Sequence, residues 1–84
     1  MEYDWDKVDK YTLALLYLVR SQDGDSSRAW KGFDWETMNR LHEKGFISDP
    51  RGKAKPVILY EEGFQEAAKL FQEFFGKKKY LRFR

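Results

Sequence analysis

The run Tyr11–Val19 is nine residues long and holds one conventionally polar side chain, Thr12. Such a run has two outlets in a small chain: a strand buried on both faces, or a helix covered nearly all round. The flanking residues choose the helix. Asp4 is an N-cap candidate, Tyr3 and Val8 stand at the two ends of a hydrophobic staple, and Asp6 and Asp9 sit near the positive end of the helix dipole. The spacing predicts a central, buried helix from Trp5 to about Arg20. Its core face is expected to carry Val8, Thr12, Leu15 and Val19, widened by Tyr11, Leu16 and Leu18.

The rest of the chain has little material with which to wrap that helix. At 84 residues there is one domain, and folding buries roughly 64% of the unfolded surface. That suffices for one modest core and leaves no room for a deep catalytic cleft. The absence of cysteine excludes disulfides, thiolate zinc sites and cysteine nucleophiles, and the single histidine, His42, excludes a histidine-rich metal site. The 3 Trp, 5 Tyr and 7 Phe supply large buried areas per residue. Trp5, Trp30 and Trp35 are expected in or beside the core, with a partner-binding surface as the alternative.

Beyond the first helix, Ser21–Ser27 reads as a polar loop with an Asp-Gly turn, and Arg28–Gly32 as a short helical turn anchored by Trp30. A second helix is predicted from Trp35 to Lys44. Asp34 caps it, Phe33 staples onto Met38, and Trp35, Met38, Leu41 and His42 form its inward stripe. Gly45 and Phe46 close it as a Schellman ending. Phe46–Ser48 reads as a short strand, Asp49–Gly52 as a turn and Lys53–Leu59 as a second strand, with Pro56 restricting where pairing starts. A last helix opens near Glu61 and stops at Gly76. The sequence thus predicts a domain over residues 1–76 and a basic tail over 77–84.

This order resembles a winged helix-turn-helix. The stretch Met38-Asn39-Arg40-Leu41-His42-Glu43-Lys44-Gly45-Phe46-Ile47, followed after a hairpin by Ile58-Leu59-Tyr60-Glu61-Glu62-Gly63, is similar to the recognition-helix-to-wing segment of bacterial winged-helix regulators. Tyr60 stands where that pattern has threonine, which alters the usual hydroxyl cap of the last helix. The whole chain also resembles a family of small bacterial proteins catalogued as a domain of unknown function. Met1–Asp6 and Arg28–Trp35 carry that likeness. The expected fold class is therefore α+β, winged-helix-like, with about three helices and a two-stranded wing hairpin.

Charge directs the functional expectations. Residues 1–26 carry six acidic against three basic side chains, whereas residues 50–84 carry nine Lys and Arg against four Glu. An anionic partner at the C-terminal half is one reading, and a solvated surface is the other. The winged-helix resemblance implies DNA binding. The second helix would then present Thr37, Arg40 and Lys44, with Glu36 and Glu43 opposing. Arg51, Lys53 and Lys55 on the wing would meet phosphates, or else protect a hairpin edge. In the tail Lys77, Lys78, Lys79, Arg82 and Arg84 are interleaved with Tyr80 and Phe83. The alternative is a protein-interaction module, with Leu70, Phe74, Leu81 and Phe83 forming a seam to a second copy or another protein. No glycine-rich phosphate loop, calcium-loop spacing or positioned nucleophile is present, so neither an enzyme nor a cofactor is expected. The acidic N-terminus lacks a basic segment ahead of an apolar run, so no secretory leader is predicted. No apolar stretch approaches the ~20 residues of a bilayer span, and a cytoplasmic location without membrane contact is expected.

Overall fold

A computed structural model describes residues 1–23 and 26–77. Three helices, α1 (Trp5–Val19), α2 (Trp35–Glu43) and α3 (Glu61–Phe75), alternate with three strands, β1 (Ser21–Asp23), β2 (Ser26–Trp30) and β3 (Pro56–Leu59). The strands form one antiparallel sheet in the order β1-β2-β3, with Arg28 opposite Ser21 on one side and Ile58 on the other. The fold is α+β, three helices with an antiparallel hairpin, an arrangement consistent with winged-helix-like topology.

Local chemistry sets the helix ends. Asp4 Oδ1 accepts the Lys7 amide at 3.1 Å and starts α1, and Asp34 Oδ2 accepts the Thr37 amide at 3.1 Å and starts α2. Gly45, at φ 82°, ends α2: its amide donates to the His42 carbonyl at 2.9 Å, and the Phe46 amide donates to that of Leu41 at 3.1 Å. A methyl group at Gly45 would meet no atom within 4 Å, so its cost is conformational alone. Gly45→Ala is expected to cost about 1 kcal/mol in denaturant unfolding, with an unchanged m-value. At α3 the Tyr60 side chain makes no capping bond, as its replacement of threonine implies. Tyr60 instead donates its amide to the Phe46 carbonyl at 2.9 Å, which ties the start of α3 to the end of α2.

The sheet departs from expectation. Ser21–Ser27 supplies β1 and the beginning of β2, apart from residues 24–25, and Arg28–Trp30 is strand, with no helical turn. Ser27 and Ala29 are buried while Arg28 is exposed, a two-residue alternation masked by small polar side chains. The expected strand Phe46–Ser48 contracts to one bridge, Ile47 to Leu59. There the Ser48 hydroxyl accepts the Ile58 amide at 2.8 Å, replacing a carbonyl and ending the ladder. Its expected partner begins at Pro56, later than Lys53, in keeping with the missing proline donor.

The core comprises Leu13, Ala14 and Leu16 of α1, Met38 and Leu41 of α2, Ile47, Ala29, Val57 and Leu59 at the sheet, and Ala67 and Leu70 of α3. Helices α1 and α3 run antiparallel, since Tyr11 stacks on Phe74 while Tyr17 packs between Phe64 and Phe71. Of the face of α1 assigned to the core, only Leu16 is fully buried. Asp9, Leu13 and Leu16 point inward, whereas Val8, Thr12 and Leu15 are half-buried and Leu18 and Val19 are exposed. Trp5 and Trp35 are exposed as well, against the expectation that they lie in or beside the core.

Candidate functional site

Thr37 and Arg40 of α2 and Lys44 at its end, expected to reach DNA, face α1 or the interior. Thr37 is fully buried; its hydroxyl donates to Asp34 Oδ2 at 2.8 Å and accepts from the Arg40 guanidinium at 3.0 Å. Arg40 Nε and a terminal nitrogen each reach Asp9 Oδ1 at 2.9 Å, and Lys44 Nζ lies 3.0 Å from Asp9 Oδ2 and 3.4 Å from Asp6. The Trp5 ring lies under the guanidinium at 5.2 Å. Asp9 is 2% exposed. Burial pushes its carboxyl up, but the bonds from Arg40 and Lys44 outweigh burial and hold its pKa below the ordinary carboxylate value. The Asp9 bond raises Arg40 despite some desolvation, and Lys44 rises because its pairing with Asp9 outweighs its own burial. These two cations thus bind α2 to α1. The outward face of α2 carries Trp35, Glu36 and Glu43, an unfavourable surface for a phosphate-lined groove. The expectation of an outward Thr37–Arg40–Lys44 stripe is corrected accordingly.

The loop after Ile47 keeps its cations outside. Arg51 is paired with Asp49 through Nε at 3.0 Å, and Asp49 also accepts the Arg51 amide at 2.9 Å. The Arg51 side-chain bond, with this backbone bond, draws the Asp49 carboxyl down to about 2. Lys53 and Lys55 are exposed. Lys31, which sequence reasoning passed over, fastens this loop by donating to the carbonyls of Pro50 at 2.8 Å and Gly52 at 2.7 Å. His42 is half-buried, with Nδ1 3.0 Å from the Ile47 carbonyl. Lys77 is exposed, while Lys78, Lys79, Arg82 and Arg84 lie outside the described residues, as do Leu81 and Phe83.

The remaining members of the expected apolar seam are occupied. Leu70 is buried at 5% exposure, and Phe74 is stacked on Tyr11 with ring centroids 4.1 Å apart. Leu70 also floors a cleft of about 160 Å³ with Leu13, Leu41 and Phe46, where Asp9 and Lys44 form the polar wall. An exposed apolar surface lies instead on the outer side of α1. Tyr3, Lys7, Val8, Tyr11, Thr12 and Leu15 line a shallow groove of about 420 Å³ there, and Leu18 and Val19 continue it toward the helix end. The signal was present in the sequence as an apolar run wider than one face. Among the described residues no three His, Asp or Glu side chains gather as a metal site, and no helix is long and apolar enough to cross a membrane.

Comparison with known proteins adds the following. A family model described as a domain of unknown function (DUF6429) matches residues 4–77. The chain is similar to the uncharacterised protein y4hR of Sinorhizobium fredii (strain NBRC 101917 / NGR234), 47% identical over 77 residues, which is 92% of this chain and 100% of that protein. No solved structure matches.

Proposed function

The chain belongs to the DUF6429 family, and we propose that it is a small non-enzymatic protein-interaction module that docks through the outer face of α1. One observation carries this reading: Tyr11, Leu18 and Val19 of α1 stand exposed while Arg40 and Lys44 are spent on Asp9. A helix usually covers its apolar stripe, and here the second stripe is only partly covered by the described residues.

The test is the Leu18→Glu, Val19→Lys double variant. Both side chains are exposed, so far-UV circular dichroism should not change. Association of the wild type, with itself or with a hydrophobic reporter dye where it is monomeric, should fall several-fold. Equal association in the two proteins would overturn the reading.

A second reading, nucleic-acid binding, is favoured by the exposed Lys53 and Lys55. Contacts confined to that loop are electrostatic and depend steeply on salt. Duplex anisotropy is then expected to show binding at about 50 mM salt that disappears at about 200 mM. Lys53→Ala with Lys55→Ala should lower the salt slope by roughly one to two units. Duplex binding that persists at the higher salt and is lost on Asn39→Ala would instead restore α2 as a reading helix.

A further inference from the structure

We infer that the occupant of the α1 face is a second copy of this chain, seated with its own α1 antiparallel. The inference rests on the reading of that face as a docking surface. Val8, Tyr11, Leu15 and Leu18 follow one another at intervals of three, four and three residues. Alternating steps of three and four are the heptad spacing of a helix–helix seam. The intervals read the same in both directions. A two-fold axis near residue 13 therefore brings Val8 of each copy to Leu18 of the other, and Tyr11 to Leu15, with Thr12 and Val19 along one flank.

The helix dipoles select the antiparallel sense. The last turn of α1 holds no basic side chain, and an antiparallel pair sets that carbonyl end beside the positive N-terminal end of the other copy's α1, with Lys7 of the groove next to it.

Area is adequate without being large. Tyr3 is 56% exposed, Tyr11 39%, Leu18 59%, Val19 49% and Phe75 45%. Phe75 belongs to the patch because its ring meets Tyr11 edge-on at 6.4 Å. Together these side chains present on the order of 500 Å² per copy. Two copies then cover about 1,000 Å² when all of it is buried, the small end of biological interfaces and the range of weak, reversible pairs. A reversible dimer is the expected state.

Sedimentation equilibrium from low micromolar to about millimolar chain should show a monomer–dimer transition, weakened at least tenfold by Leu18→Glu. Because the chain has no cysteine, introduced thiols report orientation cleanly. Oxidising a mixture of Val8→Cys and Leu18→Cys chains should give a crosslinked heterodimer, with little product from either alone. Efficient crosslinking of Val8→Cys with itself would overturn the antiparallel arrangement. A wild type that stays monomeric and binds a hydrophobic dye, with binding lost in the Leu18→Glu, Val19→Lys variant, would overturn the second copy and leave the docking face. A monomer that binds no dye would overturn both.

Discussion

Replacing Gly63 by alanine is expected to destabilise the domain by about 3 kcal/mol, lowering its Tm by about 15 °C. Gly63 lies in the first turn of α3, where the helix crosses the backbone at Phe46. A methyl group there would stand 2.8 Å from the Phe46 Cα, 2.6 Å from its carbonyl carbon and closer still to the oxygen. The obstacle is main chain fixed by the Schellman ending of α2, so no side-chain rotation relieves it. Helix propensity acts in the opposite direction, favouring alanine over glycine by about 1 kcal/mol. The sign of the change therefore decides between close packing and propensity. Thermal unfolding followed by circular dichroism reads it, and an unchanged or raised Tm would refute the close approach of α3 to Phe46.

The second large effect belongs to Asp9. Asp9→Asn keeps the shape of the side chain and removes the charge that holds Arg40 and Lys44. Losing one member of a buried ion pair costs about 3–5 kcal/mol. Here the Arg40 and Lys44 side chains keep 30% and 38% of their exposure and regain water, so the expected loss is about 2 kcal/mol. The pH dependence has a definite sign. Because the folded pKa of Asp9 lies below the ordinary 3.8, the wild type holds this contribution fully above that value and loses it as pH falls through the folded pKa. Denaturant midpoints measured from pH 6 downward should fall less steeply for Asp9→Asn than for the wild type. Parallel curves would mean that the carboxylate contributes nothing to folding as an anion.

Much of this architecture is legible in the sequence because its signals are local. Asp4, Asp34 and Gly45 act within one helical turn of themselves, and Gly76 stops α3 from its own last turn. What escaped depends on distant partners. The orientation of α1 is the clearest case. With apolar side chains on nearly every side, periodicity cannot choose the inward face, and the choice is made by Asp9 meeting Arg40 and Lys44, 31 and 35 positions away. The same contacts turned Thr37, Arg40 and Lys44 from an expected reading surface into a helix clamp. Strand β2 was missed because Ser26, Ser27 and Arg28 look like loop residues until β1 and β3 supply their pairing partners. Lys31 was missed for a related reason: its acceptors are main-chain carbonyls, which leave no mark in composition.

The most direct test of where this domain binds is a backbone amide NMR map recorded twice, over a protein dilution series and over a titration with duplex DNA. The α1 account predicts that dilution shifts the amides of Val8, Tyr11, Thr12, Leu15, Leu18 and Val19. It also predicts that duplex leaves Thr37, Arg40 and Lys44 unmoved. Duplex-induced shifts along α2 and the 51–55 loop, with α1 silent on dilution, would contradict it.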